Sequence, residues 1–406
     1  MKILQINAVY KILSTGRTSK EISDFIWSEG DQCMTIYGEK KGAYNHTIYL
    51  GNSFSHKIHA IISRLMGAYG YGSIIDTLKL LKYIKSYNPD IIHLRNLHAN
   101  FINIPILLKF LAKNDIPTIV TLHDCYFFTG GCMHYTTNRC YKWKINCKHC
   151  QFLHRGSDFL FCNRSSRNLS NKVKLFNAIP RLGVIGVSDW IMNEAKQSRV
   201  FYNAKIFDRV YNWIDLDKFI PQGQVKDLET KIKIGAQGKF MILGVSSSWD
   251  NKKGLDDFLK LSELLKTNQI IVLVGKMPKI KLPLNIITIK STNNVDELAE
   301  LYSAADVFVN FSLEETFGKV SAEALGCGTP IIVYNSTASP ELVGERCGYI
   351  IGEAHDVGNV MNAIGTISNR SKSFYSFNCR EMALTSFNKI TNIAQQYKIY
   401  KGLIKN

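Results

Sequence analysis

Two glutamates, Glu315 and Glu323, stand eight positions apart across a glycine, in a segment whose pattern changes from strand to helix between them. Residues 307–310 are an apolar run, 312–318 a loop and 319–325 a helical stretch. Gly326-Cys327-Gly328-Thr329-Pro330 stops the helix before a further apolar run at 331–334. Gly318 allows a tight turn at the helix start, so the amides of Gly318, Lys319 and Val320 can face an anion with the helix dipole behind them. Glu323, one turn into the helix, can accept hydrogen bonds from a ribose diol, and Glu315, in the loop, can meet sugar hydroxyls. Spacing alone fits equally a solvated loop acid and a surface helix acid.

A second constellation is Cys132, Cys140, Cys147 and Cys150, spaced C-x7-C-x6-C-x2-C. Four thiols this close, one pair as C-x2-C, fit a tetrahedral structural zinc site, with His134 as a substitute ligand. Disulfides and free thiols are the competing readings. Other polar residues follow apolar runs. Gly16 and Arg17 come after 2–9, where a turn could approach a diphosphate and Arg17 could touch phosphate or acceptor. His93 and Asn96 follow 91–94, and His123-Asp124 closes 119–123; His93, Asn96 and Asp124 suit an acceptor side.

Short apolar runs at 2–9, 33–37, 91–94, 119–123 and 184–187 alternate with helical patterns at 19–29, 74–87 and 104–114. The second half repeats the theme, with strands at 241–245, 270–274, 286–289, 307–310 and 331–334 and helices at 255–266, 295–304 and 319–325. Such alternation predicts an α/β protein of parallel sheets covered on both faces. Two doubly wound, Rossmann-like domains facing across a cleft are expected. The first is expected to span 1–212, with a cysteine-rich insertion at 125–181, and the second 213–387, with a helix near 388–406 returning to the first. Ligands in such sheets bind beyond the carboxyl ends of strands, where these candidate residues stand.

The net charge of +17 is uneven. Residues 1–212 carry 28 Lys and Arg against 13 Asp and Glu; the remainder carries 22 against 20. A basic half suits an anionic partner such as a membrane surface or a phosphorylated acceptor. Residues 152–181, basic with interleaved Phe152, Phe159, Phe161 and Phe176, fit a membrane interface or, equally, a solvated face over buried rings. The first ten residues read as a buried strand rather than a signal peptide, and no apolar run reaches spanning length, so a cytoplasmic protein, peripheral on the inner face of the membrane, is expected.

The block Glu314-Glu315-Thr316-Phe317-Gly318-Lys319-Val320-Ser321-Ala322-Glu323-Ala324-Leu325 resembles the E-x7-E signature of retaining glycosyltransferases of family GT4, which have the GT-B fold. Leu301 to Val307, Gly328 to Ile332, Ala338 to Val343 and Asn212 to Phe219 resemble the family's flanking blocks in order, with Trp213 where the family has Gly. The resemblance implies that Glu323 binds the ribose, that Glu315 lies beside the transferred hexose, and that the Phe317–Val320 amides take sugar hydroxyls and diphosphate. It implies Lys253 as a cation on the diphosphate, with Ser248 at the usual Arg position and Lys252 as a substitute charge. His123 would face the reaction centre and orient the sugar. The cysteine segment resembles an insertion in a subgroup of exopolysaccharide and colanic-acid type.

The activity so implied is hexose transfer from a nucleotide diphosphate sugar to a polysaccharide or lipid-linked oligosaccharide, as in O-antigen, capsule or exopolysaccharide synthesis. No metal is required for catalysis. The D-x-D of Asp215-Leu216-Asp217 falls inside the flanking block and reads as structural. A GT-B nucleotide-sugar epimerase or phosphorylase is the alternative. A zinc-dependent nucleic-acid binder would leave the second half without a role, so no nucleic acid is expected as a partner.

Overall fold

The computed structural model describes residues 1–150, 163–290 and 294–405, which form two compact units: 1–210 with 393–406, and 211–392. The first unit contains β1 (Lys2–Asn7), α1 (Leu13–Ser28), β2 (Gln32–Tyr37), β3 (Thr47–Tyr49), α2 (Ser53–Met66), α3 (Ile74–Tyr87) and β4 (Ile91–Leu94). It continues with α4 (Ile104–Lys113), β5 (Thr118–Leu122), α5 (Ser165–Phe176), β6 (Leu182–Gly186), α6 (Asp189–Lys196) and β7 (Ile206–Arg209). Its seven strands are all parallel, in the order β3-β2-β1-β4-β5-β6-β7. The central strands are buried because both faces are covered; β4 and β5 are wholly so.

The second unit contains α7 (Gln224–Lys233), β8 (Phe240–Ser248), α8 (Leu255–Glu263), β9 (Gln269–Lys276), β10 (Ile286–Ile289) and α9 (Val295–Ala304). Then follow β11 (Val307–Asn310), α10 (Lys319–Gly326), β12 (Ile331–Tyr334), β13 (Gly348–Ile351), α11 (Val357–Arg370) and α12 (Ser373–Ser386). Its six parallel strands run β10-β9-β8-β11-β12-β13. Each sheet therefore reverses strand order once, between β1 and β4 and between β8 and β11, and each reversal opens a crevice at the carboxyl ends of those strands.

The last helix, α13 (Lys389–Lys405), belongs to the first unit from Ile393 onward. There Tyr397 Oη donates to Asp31 Oδ2, and Gln395 Nε2 donates to the Arg209 carbonyl.

Three of the observed strands, β3, β7 and β13, have no strong apolar signature. All lie at sheet edges and are short and half exposed. Helix α1 starts six residues before the expected position of 19. Its N-cap is Ile12, with no side-chain capping bond, and Leu13 has φ 56°, so nothing in residue type marks the start.

Candidate functional site

In the second unit the crevice is built by two loops. After β8, Asp250 caps a single 3-10 turn at Asn251–Lys253, its Oδ1 accepting from the Lys253 amide at 3.0 Å. Gly254 ends that turn with φ 76°. A Cβ there would sit 2.1 Å from Cβ of Phe311, so only glycine lets this turn close on the loop after β11. The Leu313 amide then donates to the Lys252 carbonyl at 3.2 Å. The result is a bridge across the strand reversal: Lys253 Nζ donates to Glu315 Oε1 at 2.7 Å and to Ser312 Oγ at 3.2 Å.

The loop carrying Glu315 is pinned from beneath. Its amide donates to Thr337 Oγ1 at 2.8 Å, and its carbonyl accepts from the Ala338 amide. Gly318, φ 89°, is the N-cap of α10, leaving the amides of Lys319 and Val320 without intrahelical acceptors. The Phe317 ring is buried against Tyr211 and Phe387, so only its backbone can face a ligand. Glu323 is 8% exposed and accepts from Tyr302 Oη at 3.2 Å. Burial, then the Glu323 charge, push Tyr302 well above its ordinary pKa, so it remains a donor. Glu323 is therefore not a surface helix acid. Lys252 is exposed on the turn, and Ser248 ends β8 at the surface.

In the first unit the reversal is organised by a residue that the motif reading passed over. Arg95, one residue past β4, is 1% exposed, yet among the described residues no ion pair reaches it. One guanidinium nitrogen donates to Thr18 Oγ1 and, at 3.0 Å, to His123 Nε2; its Nε is buried without a partner. Burial lowers its pKa to about 10, so it stays charged at neutral pH. Arginine has no acceptor, so His123 Nε2 must be unprotonated and its hydrogen must sit on Nδ1. Burial, then the Arg95 charge, hold His123 well below the usual imidazole range. His123 is thus a fixed neutral donor, suited to orienting a substrate oxygen and unsuited to carrying a proton. The available signal was an arginine ending an apolar strand at a sheet reversal.

Two families of descriptions match the chain. A model described as Glycosyltransferase Family 4 matches residues 51–218, and one described as Glycosyl transferases group 1 matches residues 239–370. The chain belongs to the family 4 glycosyltransferases. The D-inositol 3-phosphate glycosyltransferase of Mycobacterium sp. (strain JLS) is 24% identical over 192 residues, 44% of this chain and 43% of that protein. The UDP-Gal:alpha-D-GlcNAc-diphosphoundecaprenol alpha-1,3-galactosyltransferase of Escherichia coli is 26% identical over 213 residues, 48% of this chain and 54% of that protein. The chain spans about half the length of these curated relatives. Sucrose-phosphate synthase from Thermosynechococcus elongatus has the same fold, with a TM-score of 0.69 at 15% identity over 100% of this chain and 99% of that one.

Of the other expected site residues of this family 4 glycosyltransferase, Gly16 and His93 are placed differently from the sequence reading. Gly16 lies inside α1 rather than in a turn; a Cβ there would approach Val9 and Tyr10 at 3.1–3.2 Å, so it lets the helix pack on the loop after β1. Arg17 is exposed, its Nε donating to the Leu13 carbonyl at 3.4 Å. His93 does not reach an acceptor surface: it is fully buried, with Nε2 against Thr121 Oγ1 and Nδ1 against Tyr400 Oη, both at 2.8 Å. The Asn96 amide donates to Asn7 Oδ1, and Asp124 accepts from the Tyr126 amide and lies 3.6 Å from His98.

Cys132, Cys140, Cys147 and Cys150 are partly exposed free thiols in one neighbourhood. Burial first, then the neighbouring thiols, push Cys132 up to about 12; burial pushes Cys147 up to about 11. Among the described residues, no group of three or more His, Cys, Asp or Glu side chains is arranged to hold a metal ion. Of the expected basic interface, Phe152, Arg155, Phe159 and Phe161 lie outside the described residues. Phe176 and Lys172 are buried, the latter lowered to about 7 by burial and donating to the Tyr126 and Thr129 carbonyls. Asp215 behaves as a turn residue, accepting from the Asp217 amide at 3.2 Å.

Proposed function

We propose that this chain transfers a hexose, with retention of configuration, from a nucleotide diphosphate sugar to a lipid-diphosphate-linked or polysaccharide acceptor. The observation that carries this reading is the Lys253–Glu315 bridge at the strand reversal, with Glu323 eight residues further on α10. An arriving diphosphate competes for the Lys253 ammonium and for the first amides of α10, which releases the Glu315 carboxylate to hexose hydroxyls. As the glycosidic bond breaks, charge grows on the diphosphate, and cation and amides gain strength there. Glu323, oriented by Tyr302, takes the ribose diol. The departing phosphate receives the acceptor proton, which matches a neutral His123 that cannot. The Escherichia coli relative, whose name specifies a UDP-sugar donor and a diphosphoundecaprenol-linked acceptor, supports that class on both sides.

Purified protein incubated with UDP-hexoses and a GlcNAc-diphosphate-lipid acceptor should release nucleoside diphosphate only when both substrates are present, with an α-linked product by NMR. Release without acceptor, or hexose inversion at another carbon, would replace transfer by phosphorolysis or epimerisation.

A further inference from the structure

Asp76 is a buried carboxylate without a donor. It stands in the first turn of α3 and is 8% exposed, yet among the described residues no hydrogen bond or ion pair reaches it, not even from Lys79 one turn further on. The α3 dipole favours a negative charge at this turn but makes no hydrogen bond to it here. A buried acid left without donors is destabilising, so its retention points to a donor from outside the chain.

Asp76 lines a cavity of about 330 Å³ beside β3, the edge strand of the first unit's sheet. With Lys79, Leu80 and Tyr83 it forms one face of α3, at i, i+3, i+4 and i+7, and that face is one wall. Ile36 of β2 and Ile48 and Tyr49 of β3 line the cavity as well, together with residues 50–52 of the loop that follows. In that loop Gly51 has φ 82°, and a Cβ on it would sit 3.0 Å from Asp76 Oδ2, so glycine keeps the carboxylate uncovered. Both tyrosine rings are fixed by neighbours: Tyr83 stacks on Tyr87 at 5.6 Å between centroids, and Tyr49 meets Tyr37 edge-on at 5.4 Å. Burial raises both phenols, so both stay protonated, and among the described residues neither hydroxyl makes a hydrogen bond.

These groups select a ligand. The carboxylate repels an anion and needs donors. A single carboxylate offers too few oxygens for a cation of the calcium or magnesium type. Lys79 in the wall and Lys41, whose Nζ lies 5.9 Å from the Tyr49 ring centre, disfavour an organic cation. A neutral polyol meets every feature. Adjacent hydroxyls donate to the carboxylate, the phenols and the ammonium bond the other oxygens, and the apolar side chains take the C–H face. The volume is that of a small-ligand pocket.

We propose that this cavity is a carbohydrate pocket, holding one sugar residue by its diol on Asp76. Naming that residue as part of the acceptor glycan rests on the transfer reading above; the binding itself does not. Strand β3 lies two strands from β1, about 10 Å across the sheet, so the residue held is not the reacting one.

Titration of the full chain with the methyl glycosides of glucose, galactose, mannose and N-acetylglucosamine, without donor, reads the pocket through the NMR amide signal of Gly51. At least one glycoside is expected to move that signal saturably. Asp76→Asn should weaken its binding by about tenfold or more, the loss of a charge-assisted hydrogen bond. The same variant should keep or raise the wild-type Tm, because it removes an unpaired buried charge, whereas a purely structural acid would lower it. A Gly51 signal that no glycoside moves, or that moves equally in Asp76→Asn, overturns the proposal. A signal moved by ethylammonium and by no sugar overturns it in favour of an organic cation. In turnover with a lipid-linked oligosaccharide, Asp76→Asn should raise acceptor KM about tenfold; an unchanged KM overturns the assignment to the acceptor. Nucleoside diphosphate release keeps the two readings apart. Transfer without glycoside binding removes the pocket alone, and glycoside binding without transfer removes the transfer reading alone.

Discussion

Lys253 and Arg95 each stand beyond a strand at the point where a sheet reverses its order, and each is the cation of its unit's crevice. Lys253 is more than a third exposed and paired with a carboxylate. Arg95 is sealed and, among the described residues, meets hydroxyl and imidazole instead of an acid. An exposed ion pair is worth about 0–1 kcal/mol, so Glu315 can surrender Lys253 to an incoming phosphate at little cost. A buried guanidinium has no such freedom. One crevice exchanges partners and the other holds a geometry, because the two cations differ in burial and in partner.

The largest break of this contrast is expected from Lys253→Ala. Loss of the exchangeable cation should lower kcat by about a hundredfold or more, or roughly 2.7 kcal/mol of transition-state stabilisation. Full turnover by the variant, measured by nucleoside diphosphate release, would strip Lys253 of its role.

Acid should separate the two units next. His59, His93 and His123, all in the first unit, are held below the ordinary imidazole pKa by burial. A depressed folded pKa gives stability that is present above the unfolded value of about 6.5 and lost as pH falls. For His59, lowered to about 4, the loss is of order 3 kcal/mol and is spread between about pH 6.5 and 4. Hydrogen exchange between pH 7 and 5 should show protection falling first in α2, β4 and β5. Equal loss in β8 and β11 would contradict the assignment.

Glu323→Gln should come next, raising donor KM about tenfold with kcat little changed, because a charge-assisted bond to the ribose is made equally in ground and transition states. A fall in kcat at constant KM would move Glu323 from binding to the chemical step.

The second unit was far more legible in the sequence than the first. β11, its loop and α10 follow one another with a glycine at the turn, so residue type and spacing marked the strand, loop and helix, while the reading of their two glutamates as donor ligands came from resemblance. Lys253 was visible only through resemblance and its bridge to Glu315 was not visible at all, because the two residues are 62 positions apart and meet through Gly254 closing on Phe311. In the first unit, His93 and His123 looked alike as histidines near strand ends. His93 sits inside β4 and His123 one residue beyond β5, and that small difference in register sends one into the core and the other to the crevice.

The smallest effect is expected from Arg95→Met, and it is the most informative. Methionine keeps much of the buried stem while removing the donor to His123 and the charge beside it. Donor KM should not change, since the donor residues belong to the other unit. Turnover at pH 8 should fall only severalfold, as His123 loses its fixed tautomer. With the second-largest cause of its depression gone, the His123 pKa rises toward 6.5, so protonation enters the working range from the acid side. The kcat profile should then gain a descending acid limb at higher pH than any limb of wild type, and the variant should lose activity faster than wild type as pH drops. A profile parallel to wild type at uniformly reduced height would make Arg95 a packing residue, and the two crevices would no longer differ in kind.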